Sequence, residues 1–314
     1  MKKSPFDDDI IYVKGAVNVK YYIGIDIGGT NIKAGIVDEL GQIINESSIP
    51  TGADRPQEIV LKDIISSVNR LIDDAKVSPA AAGMGSPGAI DSNKGIVIRN
   101  FNLGWKDFAI APAMSEALGI PVTLENDADA AALGEVVAGS AKGAKSAMII
   151  TLGTGVGSGY VVDGKIVRGC EFGHMVIVHG GLQCTCGRKG CFEAYCSATG
   201  LIRVTKESGI KEADGTVNGR TIFDAADDGN EVAVKLIDEY IEYLACGLAN
   251  LVNGLQPEVI SLGGGIAKQG ERILTPLREK MRREIFGGFA MPRVVCCTLG
   301  YKAGLIGAAM AGRG

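Results

Sequence analysis

Long apolar runs and excess positive charge are missing from this chain of 314 residues, and we expect no export signal. No apolar stretch approaches the ~18 residues that a membrane-spanning helix needs, so we expect no membrane partner. The 36 acidic residues outnumber the 32 basic ones. This balance argues against nucleic acid as a partner, because phosphate-binding surfaces need concentrated positive charge. The start, MKKSPFDDDIIYVKG, carries three aspartates where a signal peptide needs an apolar core, so we expect a cytoplasmic protein.

Two common nucleotide-binding signatures also lack support. No G-x-x-x-x-G-K-[ST] occurs, and the one G-x-G-x-x-G match, at 83–88, is not followed by the helix that a Rossmann turn opens. Glycine, in contrast, is abundant: the chain has 45, about twice the usual ~7%. These glycines fall in short groups that follow or interrupt apolar segments, where they suit a backbone that approaches a ligand closely.

Two segments with the same predicted order of strands and turns indicate an internal duplication. Residues 21–45 and 147–168 both read as strand, Gly/Thr turn, strand, acidic-glycine turn and strand, with the second strand starting at Gly35 or Gly159. We interpret them as the openings of two related α/β halves. Chance recurrence of such hairpins remains the alternative at this stage.

Helices and buried strands fill the rest of the chain. Apolar residues recur at helical spacing in 61–72 and 237–252, while VTLEN and EVISLGGG are typical of buried strands. Alternating strands and helices predict an α/β protein. We divide it into an N-terminal extension (1–20), a small α/β domain (21–124) and a large α/β domain (125–300). We expect a C-terminal helix (301–314) to pack back onto the first domain.

Three glycine loops favour nucleotide binding. In the first, Asp26 ends an apolar strand before Gly28, Gly29 and Thr30, and Lys33 adds positive charge nearby. The backbone N–H groups of such a turn can face an anion, and Asp26 could hold Mg²⁺ through water. One such turn alone would be better explained as a plain hairpin. The further loops are Gly153, Thr154 and Gly155, and Gly263, Gly264 and Gly265.

A cysteine cluster predicts a metal site. His174, Cys184, Cys186 and Cys191 form H-x9-C-x-C-x4-C, a Cys3His set suited to tetrahedral Zn²⁺. Four protein ligands leave no position for a reactive water, so the zinc is expected to be structural. Free thiols in a loop are the alternative, disfavoured because clustered exposed cysteines oxidise. The metal would fix Glu171 and Glu193, whose carboxylates could accept hydrogen bonds from sugar hydroxyls.

An acidic segment follows the predicted strand VTLEN. Glu125, Asn126 and Asp127 end this strand before an alanine-rich helix. A carboxylate here could take a proton from an alcohol that attacks a phosphoryl group. Capping of the helix by Asn126 or Asp127 is an equal alternative on local sequence alone.

Together these motifs resemble the ROK family (repressors, open reading frames and kinases) of the actin-like sugar kinase superfamily, and within it the bacterial glucokinases most closely. The resemblance covers about residues 21–314. The motifs that carry it are D-x-G-G-T at 26–30, G-S-P-G-A-I-D at 85–91, N-L-G-W at 102–105, E-N-D-A at 125–128, L-G-T-G-V-G at 152–157, E-F-G-H at 171–174, C-x-C-G-x-x-G-C-x-E at 184–193 and L-G-G-G at 262–265.

The resemblance implies a duplicated actin-like (ribonuclease H-like) α/β fold with a ligand cleft between two domains. It also implies an ATP- and Mg²⁺-dependent kinase acting on the 6-hydroxyl of glucose, and a homodimer or homotetramer. Other hexoses (fructose, allose, mannose, N-acetylmannosamine and N-acetylglucosamine) are alternatives, since Phe172 replaces a smaller aliphatic residue. Asp127 would be the catalytic base, and the sugar would be bound by Asn102, Asn126, Asp127, Glu171, His174 and Glu193.

The family also includes sugar-responsive repressors. Those carry a DNA-binding domain of some 60 or more residues before the sugar fold. Only about 20 residues precede Tyr22, and they show no helix-turn-helix pattern. We therefore expect an enzyme and not a transcriptional regulator.

Overall fold

The structure, a computed structural model, describes residues 19–314. Residues 1–18, most of the expected N-terminal extension, lie outside the described residues. The first half of the described chain contains eight strands and two helices. They are β1 (Tyr21–Ile27), β2 (Asn31–Asp38), β3 (Ile43–Pro50), α1 (Gln57–Ala75), β4 (Ala81–Ser86), β5 (Ala89–Asp91), β6 (Ile96–Asn100), β7 (Trp105–Phe108), α2 (Ile110–Leu118) and β8 (Val122–Asn126).

The second half adds five strands and eight helices, with a 3₁₀ turn at Phe172–His174. They are α3 (Asp127–Ala138), β9 (Ser146–Leu152), β10 (Val156–Val162), β11 (Lys165–Ile166), α4 (Phe192–Cys196), α5 (Ala198–Glu207), α6 (Thr221–Asp227), α7 (Glu231–Leu255), β12 (Val259–Gly263), α8 (Gly264–Ala267), α9 (Glu271–Glu284), β13 (Arg293–Cys296) and α10 (Lys302–Arg313). Within residues 19–314, no helix combines the length and apolar character needed to cross a membrane.

Two five-stranded sheets have the same topology, which confirms the predicted duplication. The first has the order β3-β2-β1-β4-β8 and the second β11-β10-β9-β12-β13. In each sheet the first three strands along the chain form an antiparallel meander, and two later strands add to it in parallel. Strands β5, β6 and β7 form a separate antiparallel sheet. The fold is therefore the expected duplicated α/β fold of actin-like type.

The predicted starts of two strands are wrong. Strand β2 begins at Asn31 and not at Gly35, and β10 begins at Val156 and not at Gly159. Both glycines lie inside their strands, and a helix packs so closely on each position that a larger side chain would not fit. A Cβ on Gly35 would lie 2.8 Å from Leu305 Cδ2, and one on Gly159 would lie 2.5 Å from Ala132 Cβ. These glycines provide close helix–sheet contact and not a turn.

Helices α3 and α10 pack closely together between the two sheets. A Cβ on Gly134 would lie 2.1 Å from the carbonyl oxygen of Ala303, and one on Gly307 would lie 1.6 Å from that of Ala130. Helix α10 also lies on the first sheet, since a Cβ on Gly24 would meet the backbone of Leu305. This packing fixes the N-terminus of α3 at the carboxyl ends of β4 and β8, where the functional residues converge. The division at 124/125 remains a prediction.

Candidate active site

The first turn of α3 positions the predicted base. Asn126 ends β8 and caps α3, its Oδ1 accepting hydrogen bonds from the backbone N–H groups of Ala128 (2.9 Å) and Asp129 (3.4 Å). Capping was one of the two roles considered for this segment, and Asn126 performs it. Asp127 follows as the first helical residue, where a carboxylate is favoured by the positive end of the helix dipole. Its Oδ1 accepts a hydrogen bond from the Ala128 N–H group (2.9 Å), and the residue lines the cleft.

Two half-buried carboxyl groups, of Asp26 and Asp127, line the same cavity. Burial raises the pKa of Asp127, although a hydrogen bond from the Ala128 N–H group opposes this shift. Burial, reinforced by the negative charge of Asp127, raises the pKa of Asp26 to about 6, while Lys33 acts in the opposite direction. Gly304 lets helix α10 pass close to Asp26, since a Cβ there would lie 3.0 Å from Asp26 Cγ. The site therefore holds protons more readily than exposed carboxyl groups do.

Asp127 belongs to the walls of two adjoining cavities. The larger, of ≈ 890 Å³, is mainly lined by small residues; it includes Asp26, Thr151, Lys268 and the loop of Gly263, Gly264 and Gly265. The smaller, of ≈ 580 Å³, is polar and includes Asp91, Asn126, Asp129, Arg168 and Glu171. We call them the glycine-lined cavity and the acidic cavity. A group on Asp127 can therefore act on two ligands that meet at their boundary.

The three glycine loops occupy different positions. Gly264 has a φ of +87°, and a Cβ there would lie 2.3 Å from the carbonyl oxygen of Leu152, so this loop of the glycine-lined cavity needs glycine. Thr154 and Gly155 line a third cavity of ≈ 520 Å³, beside Glu193. The remaining predicted residues of the first loop do not line the glycine-lined cavity. They are Gly28, Gly29, Thr30 and Lys33, the last with its Nζ 4.3 Å from the centre of the Tyr301 ring.

The predicted metal ligands converge. The ligand atoms of His174, Cys184, Cys186 and Cys191 all lie within 4.8 Å of one another. Cys184 Sγ is 3.7 Å from His174 Nδ1, and Cys186 Sγ is 3.7 Å from Cys191 Sγ. A tetrahedral zinc with Zn–S bonds of ~2.3 Å separates its sulfur ligands by about 3.8 Å. The cluster therefore matches such an ion in both donor type and spacing.

The predicted sugar-binding residues are divided between locations. Asn126, Asp127 and Glu171 line the acidic cavity. Asn102, His174 and Glu193 do not. Glu193 instead accepts hydrogen bonds from Val156 N–H (3.0 Å) and from Thr185 Oγ1 (2.9 Å), beside the metal cluster. Asn102 is exposed in the turn between β6 and β7, where its backbone N–H group donates to Asn100 Oδ1.

One polar group that joins the two halves is not predicted from the sequence. Glu125, from the first sheet, is buried and accepts hydrogen bonds from the Arg168 guanidinium at both oxygens, with Arg168 Nε 3.0 Å from Oε2. Arg168 comes from the segment after β11 in the second half, and the hydrogen bond to Glu125 raises its pKa. Ser92 Oγ donates to the same carboxylate at 3.2 Å. This ion pair spans the edge of the acidic cavity.

Replacement of this arginine is expected to destabilise the protein. Arg168→Met leaves the Glu125 carboxylate buried with Ser92 as its remaining side-chain donor, so we expect a loss of about 1–3 kcal/mol, less than for a fully buried pair because Arg168 is half-exposed. Chemical denaturation at pH 7 measures the loss. Glu125→Gln in the Arg168→Met background should restore part of the stability. An unchanged midpoint for Arg168→Met would contradict the assigned role.

Duplicated sheets with a carboxyl group shared by two cavities are consistent with an actin-like phosphotransferase. The ROK family model matches residues 22–313, and the chain belongs to this family. A curated glucokinase of Streptomyces coelicolor is 37% identical, covering 91% of this chain and 96% of its own.

Solved structures agree with this placement. A ROK hexokinase from Thermus thermophilus superposes with a TM-score of 0.84 at 34% identity, covering 93% of this chain and 98% of its own. A ROK glucokinase from Streptomyces griseus, in complex with glucose and AMPPNP, has a TM-score of 0.72 at 35% identity, with coverage of 93% and 99%.

Proposed function

We propose that this protein is an ATP-dependent hexose kinase that transfers the γ-phosphoryl group of ATP to the 6-hydroxyl of glucose. The observation that carries the proposal is the position of Asp127 at the boundary between the glycine-lined cavity and the acidic cavity. Nucleotide phosphates suit the first cavity and sugar hydroxyls the second. The glucokinases among its relatives support glucose as the acceptor.

The reaction needs one proton to move. The 6-oxygen of the sugar forms a bond to the γ-phosphorus as the bond to the oxygen of the departing ADP breaks. The hydroxyl proton passes to Asp127, late in the reaction, because the transition state of phosphoryl transfer is loose. The raised pKa of Asp127 makes it a better proton acceptor than an exposed aspartate. The backbone N–H groups of the glycine loops would offset charge on the phosphates.

Magnesium fits the Asp26 carboxylate. This half-buried group lies on the wall of the glycine-lined cavity, and among residues 19–314 none donates a hydrogen bond to it. A hydrated Mg²⁺ bound to ATP would pair with it and neutralise phosphate charge. Lys33, one strand across from Asp26, would add positive charge beside the same phosphates.

Zinc, in this proposal, has a structural role. His174, Cys184, Cys186 and Cys191 would complete its tetrahedron, so no position remains for a reactive water. His174 Nδ1 is the ring nitrogen that faces Cys184, which leaves Nε2 available for the sugar. Asn102, His174 and Glu193 would reach the sugar when the two halves close on it, and closure would also exclude water.

The first test is a panel of acceptors. Purified protein with Mg-ATP should release ADP fastest with glucose, among glucose, mannose, fructose, allose, N-acetylmannosamine and N-acetylglucosamine. A coupled assay follows ADP, and phosphate-ester analysis identifies the 6-position. Faster turnover of another hexose would replace glucose as the acceptor. Absence of turnover with every sugar would contradict kinase function.

A further inference from the structure

A buried carboxyl group that the proposed mechanism does not use lies in the wall of the acidic cavity. Asp129 belongs to the first turn of α3, two residues after the proposed base, and is only 8% exposed. It lines the acidic cavity, and no hydrogen bond from residues 19–314 reaches its side chain. Its oxygens are not among the buried side-chain atoms that lack a partner, so they open onto the cavity and can accept a hydrogen bond from a molecule there.

The surroundings of Asp129 limit what that partner is. Burial and the negative charges of Glu125, Glu171 and Asp127 raise its pKa to about 7, against the attraction of Arg168. The nearby guanidinium of Arg168 is already paired with Glu125 at both oxygens. A phosphate or carboxylate ligand would be repelled by so many acidic groups. The partner is therefore neutral or positively charged.

A metal ion is disfavoured by the geometry. In the part of the chain that the structure describes, the cluster of His174 with three cysteines is the group whose ligand atoms converge as a metal site requires. The carboxylate oxygens around Asp129 do not converge in this way. A neutral O–H donor fits better. The Asp129 carboxyl group can accept a hydrogen bond from a hydroxyl group, and such a ligand brings no additional charge into the cavity.

We propose that Asp129 binds a hydroxyl group of the hexose at C2, C3 or C4, and so fixes the sugar while its 6-hydroxyl faces Asp127. This inference rests on the proposed function. Glu171, on the same cavity wall, would hold a neighbouring part of the ring. Asp129 is then a positioning and specificity residue, and the sugar contacts extend further along α3 than the E-N-D-A motif.

The test compares wild type, Asp129→Ala and Asp129→Asn with glucose and with its 2-deoxy, 3-deoxy and 4-deoxy analogues. For Asp129→Ala we expect KM for glucose to rise roughly 10- to 100-fold, the value of one hydrogen bond to a charged group, with kcat changed only a few-fold. Asp129→Asn keeps an acceptor oxygen, so its KM for glucose should lie between those of wild type and Asp129→Ala. For the one analogue that lacks the bound hydroxyl, wild type and Asp129→Ala should have similar kcat/KM.

Stability separates this role from a structural one. Because the pKa of Asp129 is raised in the folded protein, its ionised form at pH 8 opposes folding, and removing it should not lower the unfolding temperature. Asp73→Ala, an exposed site on α1, is the matched control and should leave KM unchanged.

Two results overturn the inference. One is a glucose KM that Asp129→Ala leaves unchanged. The other is an equal loss of kcat/KM for glucose and all three analogues together with a lower unfolding temperature. A wild-type enzyme that phosphorylates no hexose overturns the proposed function, and the acceptor panel detects that failure before any variant is made.

Discussion

Asp127→Asn should lower kcat by roughly 10²- to 10⁴-fold while leaving binding of the hexose measurable. Asparagine keeps the size of the side chain and an oxygen that can still accept the hydrogen bond from Ala128 N–H. It cannot accept the proton that leaves the sugar hydroxyl. Single-turnover and steady-state rates with glucose and Mg-ATP give kcat, and calorimetry with glucose alone gives the affinity.

The pH dependence of kcat/KM for the wild-type enzyme provides a second test of Asp127 as the base. A base works only when deprotonated, so kcat/KM should fall as the pH is lowered through the pKa of the free enzyme's base. Because burial raises the pKa of Asp127, this fall should occur at a higher pH than for an ordinary aspartate. In Asp127→Asn the part of the fall that Asp127 causes should be absent, whereas the parts caused by Asp26, with its pKa of about 6, and Asp129, with its pKa of about 7, should remain.

A control separates loss of the base from loss of charge. Asp163→Asn, in the exposed turn between β10 and β11, removes the same charge far from the cleft. Its kcat should equal that of wild type. If Asp127→Asn turns over glucose at a near-normal rate, another group accepts the proton and the proposed mechanism is wrong.

Periodicity and motifs predicted the fold well where local sequence determines local structure. The apolar stripes at 61–72 and 237–252 lie within α1 and α7, and VTLEN is β8. The errors at Gly35 and Gly159 arose because a glycine inside a strand resembles a glycine that starts one. The helix that packs on each of them comes from elsewhere in the chain, and local sequence cannot show it.

The candidate site was predictable only in part for the same physical reason. Spacing alone brought out the four ligands of the cysteine cluster, since donor types and intervals are local properties. The burial of Asp129 and its lack of a partner depend on how α3 packs against β10, where Gly159 would place a Cβ 3.3 Å from Asp129 Cα. The ion pair of Glu125 with Arg168 joins residues 43 positions apart, and no local pattern indicates it.

Cys186→Ser should abolish binding of zinc and weaken the protein. Wild type is expected to contain about one zinc per chain, and a serine oxygen is a poor replacement for one of three thiolate ligands. Structural zinc contributes about 10–16 kcal/mol in small zinc-binding peptides, and we expect a loss of at least about 3 kcal/mol here. For a protein domain of this size, such a loss lowers the unfolding temperature by about 6–12 °C. Elemental analysis and calorimetry measure the two effects.

Cys186→Ser should raise KM for glucose more than KM for ATP. Glu171 precedes the ligand His174 by three residues, and Thr185, next to the ligand Cys184, donates a hydrogen bond to Glu193. Without the metal, these carboxylates lose their fixed positions, so KM for glucose should rise by about 10-fold or more while KM for ATP changes little. Cys246→Ser, which removes a half-buried thiol outside the cluster, is the matched control. Equal zinc content in wild type and Cys186→Ser would contradict the metal site, because a tetrahedral ion cannot keep its affinity after losing a thiolate.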